Sequence, residues 1–272
     1  MSNVLLSLRW PLRVGWTINA AKAVLGADNG HCDIVANQGT SMAAPTAAGN
    51  AVLIQQYFLE GWYPSGSKTA QDGFNPSGAL IKCMLVASGT NMDFTTFEDG
   101  HQESTGGYPS NKQGYGRISL HKVLNFGVSS TEEISLFVVG AAASGHPLYA
   151  ALHDVSEFHN YSFTTSADSY QPPVRITLCY TDDVGTSGVV GPYVINDLSV
   201  VVSADGVTYP PLNAAQRDIN NIEMVVIDTP TPNTTYHVSV IAEYLNSVQP
   251  YSLGKEDKWV SNCGSLRKRG RV

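Results

Sequence analysis

Charged residues are scarce in this sequence. Asp, Glu, Lys and Arg make up 14% of its 272 residues, against roughly 25% in an average globular protein. This scarcity argues against a disordered chain, a coiled coil or a highly charged solenoid. The formal charge of −7 also argues against general electrostatic binding to nucleic acid. The one basic cluster, residues 267–271, is interpreted as a solvated tail, with a localisation or binding tail as the alternative.

Long hydrophobic runs are missing as well. No apolar stretch approaches the roughly 18–20 residues that a membrane helix needs, so no membrane span is predicted. A short apolar patch near the N-terminus precedes Arg9 and Arg13 instead of following them. That order, without a small-residue cleavage site, is not the pattern of a signal peptide. Secretion, or residence in the endomembrane system, is expected only if a longer protein carries an upstream signal.

Cysteines are few and far apart. None of the four belongs to a CxxC pair, which argues against a metal or redox motif. They allow three disulfide pairings, and spacing does not choose among these. Two triplets, which begin at Asn160 and Asn233, fit the N-glycosylation pattern, and this matters only if the chain is secreted. The cysteines are Cys32, Cys83, Cys179 and Cys263.

Hydrophobic residues make up 43% of the sequence, enough to bury a core, and their spacing changes near residues 125–130. Before that point, residues 40–62 have helical spacing. A second helix is predicted to begin at an Asn75-Pro76 cap and to stop at Gly89. The first part therefore reads as helix and loop.

The second part of the chain has a period of two. Apolar side chains alternate at 134–138, 174–180 and 236–244, which predicts an antiparallel β-sandwich or barrel. Unbroken apolar runs at 200–202 and 225–227 predict central strands.

The most informative stretch is GTSMAAP, residues 39–45, where small residues lead into an apolar helix. A serine at a helix start lies near unpaired backbone N–H groups and the positive end of the helix dipole. Both favour a nucleophile whose attack on a carbonyl creates an oxyanion. Gly39 and Ala43 leave room for substrate, and Pro45 is expected in the first helical turn, where proline is tolerated. An ordinary Ser/Thr helix cap is the alternative.

This motif resembles the nucleophile motif of subtilisin-like serine proteases. The resemblance implies that Ser41 is the catalytic nucleophile and that its N–H is an oxyanion donor, with Gly39 and Thr40 in the substrate and oxyanion loop. Other segments of the chain also resemble the family's catalytic domain and the β-barrel appended in a large subgroup. These segments are residues 45–57, 75–90, 114–120, 176–182, 195–202 and 218–226.

The resemblance implies a two-part architecture. Residues 1–125 are expected to be the C-terminal portion of an α/β peptidase domain, and residues 126–258 an all-β antiparallel, jelly-roll-like sandwich. Residues 259–272 form a basic tail. The implied function is that of a serine endopeptidase acting on a protein or peptide substrate without a catalytic cofactor or metal. A non-catalytic β-sandwich module for binding or stabilisation, with a protease remnant, is the alternative.

The sequence lacks a clear match for the rest of the triad. In subtilisins the Asp and His precede the Ser, and the candidates upstream of Ser41 lie in no matching motif. His31 is interpreted as a surface-loop residue, and we expect the chain alone to be inactive or nearly so. The acidic candidates are Asp28 and Asp33. The asparagines considered as side-chain oxyanion donors, none in suitable surroundings, are Asn3, Asn19, Asn29 and Asn37.

In the family the nucleophile helix crosses a parallel sheet, and most strands of that sheet have no counterpart in the 40 residues before Ser41. We expect the apolar helix face that carries Val52, Ile54, Tyr57 and Phe58 to lack part of its cover and to expose hydrophobic surface.

Short acidic and amide pairs suggest two further interpretations. Asp182-Asp183 and Asn196-Asp197 have oxygen ligands that suit structural Ca²⁺, although turn capping is favoured. Glu223 is expected either to join such a site or to pair with a base. Tyrosines 108, 115, 180 and 244 are interpreted as structural, and the histidines at 101, 121, 146, 153, 159 and 237 show no metal spacing. No oligomeric state is predicted.

Overall fold

A computed structural model describes residues 18–21, 34–96, 100–106, 109–127, 133–169, 171–185, 194–207, 220–259 and 267–268. The chain forms two compact units that interleave along the sequence. The first comprises residues 1–53 and 88–119, and the second residues 54–87 and 120–272. The domain boundaries expected from the sequence, at 125 and 258, stay predictions.

The described residues of the first unit form two short antiparallel strand pairs and the beginning of a long helix. Strand β1 (Ile18–Ala21) pairs with β2 (Ile34–Asn37), and β3 (Phe94–Thr96) pairs with β4 (Gln102–Ser104). Helix α1 (Thr40–Leu59) follows β2, and its residues from 54 onward belong to the second unit. The strand pairings given by the described residues are antiparallel, so the α/β architecture with a parallel sheet is not confirmed.

The described residues of the first unit bury little apolar surface. Ala47 is their one buried apolar side chain, whereas Val52 and Ile34 are 60% and 72% exposed. Exposure of Val52 agrees with the expected uncovered helix face. The expectation is wrong for the other three residues of that face, which lie in the second unit and are at most 2% exposed. They are Ile54, Tyr57 and Phe58.

An aromatic cluster explains this burial. The Phe58 ring lies 5.1 Å from Phe74, and the Tyr57 ring lies 5.4 Å from Phe126. The Tyr57 hydroxyl also donates to the backbone oxygen of Asn125, at 3.0 Å. Full burial of one such side chain is worth roughly 1.5–3 kcal/mol, so the end of α1 is well anchored within the second unit.

The described strands of the second unit form two antiparallel sheets. The strands are β5 (Glu133–Val139), β6 (Ala151–Leu152), β7 (Phe158–Thr164), β8 (Val174–Tyr180), β9 (Asp197–Ser203), β10 (Ile222–Ile227), β11 (Thr235–Tyr244), β12 (Gln249–Trp259) and β13 (Arg267–Lys268). In one sheet the order is β10-β8-β12-β5, with β6 paired to β12, and in the other it is β13-β7-β11-β9. The antiparallel strands predicted from the period-two alternation are thus confirmed.

The hydrophobic core of this unit lies where side chains of both sheets meet. Alternate residues of β7 and β11, such as Tyr161, Phe163, Val238 and Val240, contribute to one continuous buried cluster. Ile176 and Leu178 of β8 contribute from the other sheet. This is the arrangement of a β-sandwich.

The two valine-rich runs have a different position from the predicted one. Residues 200–202 lie on β9 and residues 225–227 on β10, and each strand ends its sheet among the described strands. The prediction of central strands is therefore wrong. β9 and β10 contact each other where the edges of the two sheets meet, and residues 225–227 of β10 are only half-buried.

Helix α2 (Gly78–Ala87) packs against β8 and β12. The side chain of Ser77 caps it by accepting the Leu80 N–H at 3.0 Å, so the predicted Asn75-Pro76 cap is wrong. Pro76 instead forms an isolated β-bridge. Gly254 of β12 permits the close approach, because an added Cβ would lie 3.3 Å from the Cys83 sulfur. None of the described helices is long and apolar enough to cross a membrane.

Candidate functional site

Ser41 lies in the first turn of α1, and its residue is exposed. Gly39 precedes the helix with φ +127°, a conformation that side chains of L-amino acids rarely adopt. The Gly39 carbonyl accepts the N–H groups of Met42 and Ala43, each at 3.1 Å. The backbone therefore turns sharply at Gly39 and presents Ser41 at the helix start.

The first N–H groups of a helix have no acceptor within it. Here the N–H groups of Thr40 and Ser41 precede those bonded to Gly39, and no described residue accepts from either. They can donate to an anion, and the positive end of the helix dipole adds to that attraction. Gly39, Thr40 and Ser41 thus combine an exposed hydroxyl with adjacent anion-binding groups.

Pro45 lies farther into the helix than the sequence suggested. Because α1 begins at Thr40, Pro45 is in the second turn and not in the first. Proline has no N–H, so the Ser41 carbonyl four residues earlier lacks its usual helical donor. One helical hydrogen bond is therefore missing at the residue that carries the candidate nucleophile.

The other residues considered for the site, as base, acid or side-chain oxyanion donor, are only partly described. Asn19 and Asn37 are exposed on the paired strands β1 and β2. Within the described part of its unit, Ser41 forms no side-chain hydrogen bond to a base. The other candidates lie outside the described residues: Asn3, Asp28, Asn29, His31 and Asp33.

The acidic pairs of the second unit are engaged in turn contacts. One Asp182 oxygen accepts the N–H groups of Asp183 and Asn196, each at 2.9 Å, and the other accepts that of Ile195 at 2.6 Å. The Asn196 side-chain oxygen in turn accepts the Asn246 N–H at 2.7 Å. The bonds to Ile195 and Asn196 hold together the two ends of the connection between β8 and β9. Among the described residues no group of three or more His, Cys, Asp or Glu is arranged to hold a metal. Calcium binding stays a prediction.

A buried polar network joins the two sheets and was missed from the sequence. Tyr251 of β12 lies with its hydroxyl 2.7 Å from His159 Nδ1 and 2.6 Å from the Tyr161 hydroxyl. His159 Nε2 is 3.4 Å from Glu157. Burial raises the pKa of Tyr161 to about 12 and that of Tyr251 well above its usual value. Both tyrosines therefore stay protonated and able to donate.

The sequence did hold a signal for this network. Residues 157, 159, 161 and 163 share one phase of the β alternation, so His159 faces the same way as the core residues Tyr161 and Phe163. A histidine in phase with a core strand face is a candidate for a buried hydrogen bond.

Glu223 forms a second connection between the sheets. Its carboxylate accepts the Val200 N–H at 2.7 Å and the Ser199 hydroxyl at 3.2 Å, so the expected pairing with a base is not observed. The Val200 N–H lies on β9, which ends its sheet among the described strands, so it has no neighbouring strand to donate to on that open side and needs another acceptor. Burial raises the pKa of Glu223 to about 7, and the hydrogen bonds from Val200 and Ser199 oppose that rise.

The described cysteines are poor candidates for a nucleophile. Cys83 and Cys179 are free and buried, and the Cys83 thiol donates to the Thr177 carbonyl at 3.1 Å. Burial raises the pKa of Cys83 well above its usual value, so its reactive thiolate is suppressed. Cys32 and Cys263 lie outside the described residues.

Comparison with known proteins indicates a protease-related family. No protein-family model matches the chain. Three proteins of Dictyostelium discoideum named serine protease/ABC transporter B family protein are similar to it: tagA is 27% identical over 197 residues, tagD 23% over 207 and tagB 25% over 238. The matches cover 72%, 72% and 74% of this chain but 10%, 10% and 12% of the relatives. The chain thus spans about a tenth of the length of these curated relatives, and its similarity is to a part of serine protease-related proteins.

Proposed function

We propose that this chain is part of a subtilisin-like serine endopeptidase in which Ser41 is the nucleophile. The observation that carries the proposal is the position of Ser41, exposed in the first turn of α1 beside N–H groups with no described acceptor. The GTSMAAP motif and the serine proteases named among the relatives support the same class of reaction.

In this reaction the Ser41 oxygen attacks the carbonyl carbon of a peptide bond. A new C–O bond forms, the hydroxyl proton passes to a histidine base, and the carbonyl oxygen becomes an oxyanion that the Ser41 N–H stabilises. Collapse breaks the C–N bond, and the base returns its proton to the departing amine. Water then releases the acyl group from Ser41.

Loss of the base and its orienting carboxylate costs orders of magnitude in rate. Since no segment of the sequence matches the family's Asp and His motifs, we expect little or no activity from the 272-residue chain alone. A longer chain that supplies these motifs upstream is expected to be active.

A fluorophosphonate probe tests both expectations, because it labels only an activated serine. The chain extended upstream to include the Asp and His motifs should be labelled, and Ser41→Ala should abolish labelling. Ser41 is exposed, so this substitution should change the free energy of unfolding by no more than about 0.5 kcal/mol. An unlabelled extended chain, or labelling that survives Ser41→Ala, contradicts the proposal. Strong Ser41-dependent labelling of the 272-residue chain contradicts only its expected inactivity and makes His31 a candidate base.

A non-catalytic β-sandwich module for binding or stabilisation is the second candidate. It is favoured by the contrast between the continuous core of the second unit and the lack of a hydrogen-bonded base at Ser41 within the described part of its unit. N-terminal sequencing of the native protein separates the two. A native chain that begins at Met1 and resists labelling supports the module, whereas a longer and labelled chain supports the peptidase.

A further inference from the structure

The two N-glycosylation triplets lie in different surroundings in the second unit. Asn233 lies in the turn that leads into β11, whereas Asn160 lies inside β7. Transfer of a glycan needs an accessible carboxamide, and a finished glycan needs space around it. The position of each asparagine therefore decides which triplet is compatible with the folded chain.

The turn around Asn233 is fixed by its own backbone and by its neighbours. The Asn233 N–H donates to the Ser166 carbonyl at 2.6 Å, and the Thr165 hydroxyl donates to the Thr231 carbonyl at 2.6 Å. The Thr231 N–H donates to the Tyr236 hydroxyl at 2.9 Å. These contacts use backbone groups and leave the Asn233 side chain out of the network.

The Asn233 side chain is exposed, and no described residue forms a hydrogen bond with its carboxamide. Its φ of 50° is in the left-handed region, which Asn tolerates better than most residues. The third residue of the triplet, Thr235, is the first residue of β11. Asn233 thus presents an exposed side-chain carboxamide, without a described hydrogen-bond partner, on a turn that is fixed through its backbone.

Asn160 is in the opposite situation. It is half-buried, it pairs with Ser239 in the β7–β11 ladder, and its side-chain oxygen accepts the Ser239 hydroxyl at 2.6 Å. A glycan on Asn160 would have to fit beside this contact in the middle of a sheet. The folded second unit therefore disfavours modification there.

We propose that Asn233, and not Asn160, carries an N-linked oligosaccharide when the chain matures in a secretory compartment. The donor is an oligosaccharide linked to a lipid diphosphate. The Asn233 amide nitrogen forms a bond to C1 of the first sugar, the bond from C1 to the diphosphate oxygen breaks, and the amide loses one proton. The resulting glycan covers the turn before β11.

The test uses the full 272-residue chain, secreted from cultured eukaryotic cells behind a cleavable signal peptide. Both medium and cell lysate are treated with peptide-N-glycosidase, so that retained chains are also scored. The enzyme should lower the mass and convert the glycosylated asparagine to aspartate, which peptide mass spectrometry locates at position 233. This result does not depend on Ser41 and is independent of the peptidase proposal.

Matched variants separate the two triplets. Asn233→Asp and Thr235→Val should abolish the mass shift, whereas Thr235→Ser, which preserves the triplet, and Asn160→Asp should retain it. The aspartate variants keep the size of the side chain, and Asp also tolerates the left-handed region. The proposal is wrong if the wild-type chain shows no glycosidase-sensitive mass, if Asn233→Asp keeps it, or if position 160 is converted as well.

Discussion

At the scale of single residues, Glu223 makes the stability of the chain depend on pH. Its pKa is raised from the ordinary 4.5 to about 7, chiefly by burial. The folded state therefore binds more protons than the unfolded state between these values, and the free energy of unfolding falls as pH rises. The stabilisation is complete below about pH 4.5 and is lost as pH passes through 7, with a total on the order of 3 kcal/mol.

The variant Glu223→Gln should remove this dependence, because its side-chain oxygen can still accept the Val200 N–H but does not ionise. Urea unfolding at about pH 5 and about pH 8 should show a loss of roughly 3 kcal/mol in the wild-type chain that is mostly absent from the variant. Other groups contribute equally to both chains, so the difference between them is the readout. If the free energy of unfolding changed equally with pH in the wild-type chain and in Glu223→Gln, the pKa of Glu223 would not be raised in the folded state.

Asp182 is the residue at which calcium and turn capping make opposite predictions. Its oxygens accept three backbone N–H groups, so Asp182→Ala should lower the free energy of unfolding by about 1–3 kcal/mol. Because these oxygens already accept hydrogen bonds, we expect them not to bind calcium, so neither calcium nor a chelator should change the melting temperature of the wild-type chain. Asp228→Ala, at an exposed position, is the control and should be nearly neutral. A melting temperature that rises with calcium in the wild-type chain but not in Asp182→Ala would instead establish the calcium site.

Single residues differ in how far the sequence reveals their role. The position of Ser41 at a helix start was predictable because its signal is local, a run of small residues before an apolar helix. Its role as a nucleophile stays a prediction. Most partners of Glu223 and Asp182 were not predictable, since apart from the neighbouring Asp183 N–H each is an N–H or hydroxyl more than ten positions away. Such partners depend on how the strands are aligned with each other. The sequence indicates that alignment only through the alternation of core-facing and solvent-facing residues.

At the scale of elements, the Tyr251 hydroxyl connects β12 of one sheet to β7 of the other. Tyr251→Phe removes this hydroxyl and leaves His159 Nδ1 and the Tyr161 hydroxyl without their buried partner. The expected loss is about 1–3 kcal/mol in the free energy of unfolding. Tyr244→Phe, at a residue that is 56% exposed, should change it by no more than about 0.5 kcal/mol. Equal unfolding midpoints for the two variants would mean that the network adds nothing to the contact between the sheets.

The strands themselves were predicted well, and their order was not. Period-two alternation correctly identified residues 134–138, 174–180 and 236–244, because one face of each strand enters the core. The valine runs of β9 and β10 predicted central strands, because an unbroken apolar run is typical of a strand covered on both faces. Here both strands end their sheets among the described strands, and residues 225–227 of β10 are only half-buried.

At the scale of the whole molecule, the second unit includes α2 as well as the strands. Leu80, Cys83 and Met84 of α2 are fully buried, and so are Thr177 of β8 and Ser252 of β12. The change of period near residue 125 marks where the described α-helices end and the strands of the sandwich begin. It carries no information about which helix packs on which sheet, because α2 and β12 are far apart along the chain.

Two shortened chains test whether α2 is required for the sandwich. Residues 54–272 keep α2 and the aromatic cluster around Phe58, whereas residues 126–272 lack both. Removing Leu80 and Met84, each worth roughly 1.5–3 kcal/mol when buried, uncovers the faces of β8 and β12 beneath the helix. We therefore expect residues 126–272 to bind a hydrophobic dye and to melt at a lower temperature or without cooperativity, while residues 54–272 melt cooperatively. If both chains melted cooperatively at the same temperature without binding dye, the sandwich would be stable without the helix.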